Sequence, residues 1–294
     1  MNTIAELGIL RRLVAVLMAG LIVGLSSAAH AALLYGVSGD GANFDPESFF
    51  SVNPATGATA LIQALGNGND GESIAFRPTD GLMYHWSGYN GPQIMETINL
   101  TNGTLTDIPQ NFGAYNPDEV FGSTYDAAND RFLVTDIMGN LSAVSVAGSW
   151  SVIGSVGNGG GGYRGIAFNG GSLYAGDRFL NTLDNINPLT GGTNSTVAVT
   201  MAAFSVDGIN SLTTDPDSGV LYSTLKTQDA TGLRERRLAT LNPLTGVASD
   251  IGALPHGFAN IEFGASTGRV PEPTTLALMA LGLAGIGYSR RKTA

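Results

Sequence analysis

Beyond its first 31 residues the chain carries few groups suited to catalysis. Two histidines stand there, His85 beside Trp86 and His256 in a Pro-His-Gly turn. Both are expected at the surface or in a loop. Three histidines for a zinc site are lacking, and there is no His-Glu-x-x-His pair. The chain has no cysteine, which excludes disulfides, thiolate metal sites and a cysteine nucleophile. No Gly-x-Ser-x-Gly elbow supports a serine hydrolase. The glycine-rich run from Gly157 to Gly162 lacks the Lys-Ser or Lys-Thr and the helix of a phosphate loop, so it is expected to be a plain connection.

Carboxylates remain. They occur as Asp40 and Asp45, Asp70 and Glu72, Asp118 and Glu119, Asp126 and Asp130, and Asp215 and Asp217, each pair set among turn formers. Calcium favours several oxygen ligands, and Asp215-Pro216-Asp217-Ser218-Gly219 resembles part of a calcium loop. It lacks the distal Glu and also suits an ordinary turn. Paired carboxylates equally serve glycoside cleavage, but the spacing selects no pair. Catalytic, cofactor-binding and metal-ligating residues are therefore assigned to none; no cofactor is expected, and calcium is the metal these loops would favour.

Between Ala32 and Gly264 there are 22 Asp and Glu against 8 Lys and Arg. A body this acidic is repelled by nucleic acid and by anionic membrane surfaces. The same charge also keeps an exported protein soluble.

The elements that would position these residues follow from a repeat. Asn53-Pro54-Ala55-Thr56-Gly57 recurs as Asn187-Pro188-Leu189-Thr190-Gly191 and Asn242-Pro243-Leu244-Thr245-Gly246. Weaker copies end at Gly103 and Gly148. Asn bonds forward to the backbone, Pro presets a turn dihedral and Gly takes the left-handed position, which together make a tight hairpin. The five glycines are 46, 45, 43 and 55 residues apart. In phase with them run small-apolar strands such as Ser73-Ile74-Ala75-Phe76 and Gly165-Ile166-Ala167-Phe168. Second strands open on apolar or aromatic pairs such as Met83-Tyr84 and Leu173-Tyr174. Four short strands per unit of about 45 residues is the blade of a β-propeller. The body at 32–264 is thus predicted to be all-β, a five-bladed propeller in preference to a β-sandwich or an irregular β-solenoid. Leu33-Leu34-Tyr35 matches a second strand and Asn260-Ile261-Glu262-Phe263 a first strand, so the two ends are expected to complete one blade.

Both termini address a membrane. Residues 1–31 have the form of a secretory signal peptide: Arg11 and Arg12, an apolar run from Leu13 to Leu25, and Ala29 and Ala31 at the positions a signal peptidase reads. At the other end, a linker at 265–269 precedes Val270, Pro271, Glu272 and Pro273. The two prolines keep that box extended. Residues 274–288 are apolar and helix-forming, about 22 Å at 1.5 Å per residue, and Arg290, Arg291 and Lys292 suit a cytoplasmic boundary. This Pro-Glu-Pro box, short transmembrane helix and basic end at 270–294 resemble the PEP-CTERM sorting signal of Gram-negative bacteria.

The resemblance implies export by Sec-type machinery and signal peptidase, membrane anchoring through the C-terminal helix, and processing by an exosortase near the box. It further implies delivery to the cell surface or extracellular matrix and an association with exopolysaccharide and biofilm. The expected function is a non-enzymatic binding or structural one, with an exopolysaccharide or surface protein as partner. A carbohydrate-active propeller enzyme and a calcium- or ligand-binding propeller are the alternatives.

Overall fold

A computed structural model describes residues 32–264 apart from 40–41, 43–44, 66–72, 89–92, 116, 118, 157–161 and 256. The expected signal peptide, the linker and the C-terminal helix lie outside the described residues.

The described residues form 21 strands. β1 (Leu34–Ser38), β2 (Ser48–Val52) and β3 (Thr59–Ala64) belong to blade 1. Blade 2 holds β4 (Ser73–Arg77), β5 (Leu82–Ser87), β6 (Ile94–Asn99) and β7 (Leu105–Asp107). Blade 3 holds β8 (Val120–Asp126), β9 (Arg131–Asp136), β10 (Asn140–Ser145) and β11 (Trp150–Ser155). Blade 4 holds β12 (Tyr163–Asn169), β13 (Ser172–Asp177), β14 (Thr182–Ile186) and β15 (Thr193–Ala198). Blade 5 holds β16 (Thr200–Met201), β17 (Ser205–Thr214), β18 (Leu221–Gln228), β19 (Arg234–Leu241) and β20 (Val247–Leu254). The last strand, β21 (Phe258–Phe263), returns to blade 1, whose order is β21-β1-β2-β3. Leu34 pairs with Phe263 and Gly36 with Ile261, as the complementary ends predict.

The five innermost strands, β21, β4, β8, β12 and β17, contact one another in cyclic order. Five apolar clusters fill the spaces between successive blades. Blades 2 and 3 share Tyr84, Trp86, Phe132 and Trp150, and blades 5 and 1 share Leu238, Leu254, Leu34 and Phe258. Strand alternation explains the paired apolar residues of the second strands. In β5, Met83 enters the cluster shared with blade 1, while Tyr84 and Trp86 enter the one shared with blade 3. In β13, Leu173 and Ala175 face blade 3 and Tyr174 faces blade 5. The inner strands are buried on both faces over most of their length, with small or polar residues such as Ser73, Ser123, Ser211 and Asn260 buried among the apolar ones.

The Asn-Pro hairpin has a second task. Gly191 N–H donates to Asn187 O at 2.8 Å, Leu189 N–H donates to Asn187 Oδ1 at 2.8 Å, and Gly191 has φ +76. A Cβ on Gly191 would also sit 2.5 Å from Ser155 O, on the outer strand of the preceding blade. The turn glycine is needed both for its dihedral and for that close approach.

The axis imposes a similar limit. An added Cβ on Gly165 would lie 2.5 Å from Leu212 N and Ser211 C on the neighbouring inner strand. Gly165→Ala is expected to cost about 1–3 kcal/mol, the usual penalty of overpacking, read as a lowered urea midpoint. Gly192→Ala, where the nearest atom to a new Cβ is Thr190 Oγ1 at 3.4 Å, is the control and should leave the midpoint nearly unchanged.

Candidate functional site

The connections that enter the inner strands, and those from second to third strands, lie at one face of the ring. Blade 5 is longer there than its neighbours: β18 and β19 have eight residues each where β13 has six and β14 five. This extension accounts for the 55-residue step between Gly191 and Gly246. It carries Lys226 near the end of β18 and Arg234 and Arg236 at the start of β19. Beside it, blade 4 supplies Arg178, just after β13, and Arg164, near the start of β12. Five of the eight cations of the acidic body are thus gathered at one place.

A cavity of about 510 Å³ opens between the two blades, lined by Arg178, Phe179, Asn181, Asp207, Lys226 and Arg236 among others. Lys226 and Arg236 are direct partners across paired strands, an arrangement that is destabilising for like charges. Burial, then Arg236, Arg164 and Arg178, push the Lys226 ammonium down to about 8. Burial, then Arg164 and Arg178, lower Arg236 to about 10. Phe121 of blade 3 partly offsets this charge, with Arg164 at 4.4 Å and Arg178 at 5.0 Å from its ring centroid, a cation–π arrangement. Arg178 also stacks at 4.4 Å on Phe179, whose residue is 61% exposed at the rim. Arg164 reaches Glu119 at 3.5 Å.

Asp207 sits where the pairing of β17 with β18 shifts register between Val206 and Gly208, a bulge of the kind that re-aims side chains. It lies 3.5 Å from the exposed Arg234. Several buried atoms of the lining have no hydrogen-bond partner: Arg178 Nε, Arg236 Nε, Asn181 Oδ1 and Asp207 Oδ2. Donors and acceptors are both left open in one cavity. Chemically, the arrangement is a seat for a negatively charged group.

The other candidate residues have structural partners. His85 is a correction: it is 1% exposed, and its Nδ1 lies 2.9 Å from Glu96 Oε1 across paired strands inside blade 2. Strand alternation carries its side chain into the blade packing, which adjacency to Trp86 alone does not reveal. Asp126 binds Arg131 and Asn129. Asp130 takes a forked contact from Arg77 of blade 2 at 2.9 and 3.0 Å, joining two blades. Asp215 accepts from Asp217 N–H and Ser218 Oγ within its turn, and Asp217 accepts from Ala32 N–H at 2.9 Å. Among the described residues no three acidic or histidine side chains group to hold a metal. Asp45 and Glu119 are described, whereas Asp40, Asp70, Glu72, Asp118 and His256 lie outside the described residues. So do Ala29, Ala31, Val270, Pro271, Glu272, Pro273, Arg290, Arg291 and Lys292.

One titratable group lies at the seam. Glu262 on β21 is held by Thr213 of blade 5 and by the Phe76 backbone N–H of blade 2, and burial raises its carboxyl well above the usual glutamate range. Water still reaches a fraction of the residue, but the blades enclose it.

Fold and cavity together define a five-bladed, propeller-like body with a cation-lined cavity between blades 4 and 5. Residues 269–292 match the PEP-CTERM protein-sorting motif, beginning one residue before the expected boundary. The motif marks the chain as an exported protein, anchored in the membrane before an exosortase cleaves it. No curated protein matches the chain. Among solved structures it is similar to a chain of a nidogen/laminin complex, at 15% identity and TM-score 0.49, covering 80% of this chain and 99% of that one. A structural-genomics protein from Bacteroides thetaiotaomicron VPI-5482 gives 14% and 0.49, covering 81% and 66%. A Myxococcus xanthus glutaminyl cyclase gives 17% and 0.40, covering 66% and 88%.

Two outcomes follow. A raised folded pKa means that Glu262 stabilises fully below its unfolded pKa, about 4.3, and that this contribution is lost as pH rises through the folded value. Glu262→Gln should therefore flatten the decline in melting temperature over that window, and equal slopes would refute the assignment. Lys226→Met removes a half-buried ammonium facing Arg236 and should raise the melting temperature at pH 7, measured by calorimetry.

Proposed function

We propose that this is a cell-surface or extracellular-matrix protein with a non-enzymatic binding role, working alongside exopolysaccharide. The observation that carries the reading is that the propeller finishes at Phe263, before the sorting motif begins at residue 269. Every blade is completed by residues upstream of the motif. Exosortase cleavage near Pro273 would remove the anchor and cut no strand of the ring. A self-closed ring also exposes no long inner edge to the oxidising, chaperone-poor exterior. Its cores lie between blades, so it needs no disulfide.

The binding role is supported by where the chemistry sits. His85 and Glu96 are spent inside blade 2, and the described carboxylate pairs are spent on turns and interblade contacts. The cavity on the connection face keeps open donors and acceptors. Signal peptidase, Sec-type machinery and the exosortase are the partners of delivery; exopolysaccharide or another surface component is the partner of function.

Intact-mass analysis of the protein recovered from its host tests delivery. The expected mass lacks residues 1–31 and the segment after the Pro-Glu-Pro box. A species retaining Thr274 to Ala294 would make the tail a permanent anchor and overturn the sorting step. Host polysaccharide incubated with the protein should keep its chain length; shortened product would replace the binding role with an enzymatic one.

A further inference from the structure

The cavity between blades 4 and 5 is expensive to maintain. Lys226 faces Arg236 directly, and Arg178 and Arg164 add to the repulsion. The acidic body offers many carboxylates, yet those nearby answer the cluster only in part: Glu119 reaches Arg164 at 3.5 Å and Asp207 attracts Lys226, while burial and the neighbouring cations still outweigh them. Glu235 binds Arg237 at 2.6 Å, Asp207 approaches the outer Arg234, and Arg237 turns away to fork onto Asp250. Such a local conflict is expected where a ligand completes the site.

Four features restrict what that ligand is. It brings negative charge, to answer Lys226, Arg236 and Arg178. It brings acceptors for Arg178 Nε and Arg236 Nε, and donors for Asn181 Oδ1 and Asp207 Oδ2, all buried and without hydrogen bonds among the described residues, although Asp207 Oδ2 already faces Arg234 Nε at 3.5 Å. Inorganic phosphate or sulfate meets the first demand and offers little toward the second pair. The ligand also brings an apolar face, because Phe179 of the lining stands 61% exposed. Finally, a cavity of about 510 Å³ is of small-molecule size, within the roughly 300–1,000 Å³ usual for such sites. A sugar acid has all four properties: a carboxylate, hydroxyls that donate and accept, a C–H face that stacks on an aromatic ring, and matching size.

We propose that this cavity binds a carboxylate-bearing sugar unit of an acidic saccharide, its carboxylate among Lys226, Arg236 and Arg178 and its hydroxyls on Asn181 and Asp207. The inference rests on the binding role proposed above and names its ligand class. The carboxylate meets guanidinium forks suited to two parallel hydrogen bonds. Phe179 supports the ring face. The overall acidity of the body disfavours loose adsorption of a polyanion elsewhere, so recognition is confined to this cavity.

The test is titration calorimetry of the full chain with trigalacturonate, with maltotriose, inorganic phosphate and a tri-glutamate peptide as comparison probes. Trigalacturonate should bind at one site, and maltotriose at least tenfold more weakly. Arg236→Gln should weaken trigalacturonate tenfold or more and Phe179→Ala severalfold. Arg77→Gln, an interblade contact outside the cavity, should leave affinity unchanged. Affinity should also fall as pH rises through about 8, where the Lys226 ammonium is lost. Phosphate binding as tightly as trigalacturonate would overturn the saccharide class in favour of a simple anion seat. Tri-glutamate binding as tightly would overturn it in favour of an acidic protein partner. Absence of binding by all four probes, in a protein whose melting curve is intact, would overturn the site. Because the titration reads neither processing nor chain cleavage, it separates this proposal from the delivery reading. Trigalacturonate that binds and is then shortened would sustain the ligand class and sink the non-enzymatic role.

Discussion

The structure depends on the pairing of β21 with β1. Blades 2 to 5 are each built from consecutive strands, so each could form locally. Blade 1 cannot, because its innermost strand comes from the far end of the body. Pairing Leu34 with Phe263 and Tyr35 with Glu262 closes a loop of more than 200 residues, and the entropy of that closure rises only slowly with length. The return is the fifth interblade core, where Leu238 and Leu254 meet Leu34, Phe50 and Phe258. Without it, two apolar sheet faces would be left open to water. Glu262 sits on this seam, held from both neighbouring blades.

The ring was legible in the sequence because its physics repeats. Asn-Pro-x-Thr-Gly marks a hairpin whose glycine needs both a positive φ and room for the preceding blade. Pairs such as Met83-Tyr84 mark a strand that feeds two cores at once. These constraints recur in every blade, so they leave a period. The cavity was much harder to read. Lys226 and Arg236 are ten residues apart and become neighbours only through the register of β18 and β19. Arg178 reaches the same cavity, and Arg164 acts on its charges, through the packing of one blade on the next, which no local pattern encodes. Two signals were nonetheless present: the long fourth step between hairpin glycines, and the run Arg234-Glu235-Arg236-Arg237 in a body poor in cations. His85 shows the opposite failure. Its sequence neighbours suggested a surface or loop position, whereas strand parity placed it in the packing opposite Glu96.

Charge is distributed in two incompatible ways, and the incompatibility is informative. Across the body, carboxylates outnumber cations and the isolated cations are consumed: Arg77 by Asp80 and Asp130, Arg131 by Asp126, Arg237 by Asp250 and Glu235. These pairs join turns and strands, and most of their side chains are partly buried. At the cavity the same residue types are placed against one another. Asp207, at the bulge of β17 beside Lys226, answers that charge only in part; a carboxylate opposite Lys226 on β19 would complete the neutralisation. The register supplies a second cation instead.

That arrangement also bears on how salt would act. Screening weakens the cavity's attraction for an anion, and it weakens the body's repulsion of a polyanion. For a short ligand confined to the cavity only the first effect matters, so affinity falls with salt. For a long acidic polymer the segments outside the cavity pass over an acidic surface, and screening relieves that repulsion. The two effects oppose each other, and the partly buried charges of Lys226 and Arg236 are screened less than the surface carboxylates. Binding of a long chain is therefore less salt-sensitive than binding of its isolated unit, the reverse of a protein that holds polyanions by a basic surface stripe. A cationic seat of the proposed kind on an acidic ring would grip one unit of a polymer and repel the rest, which suits attachment at chain ends or exposed branches more than wrapping along a backbone.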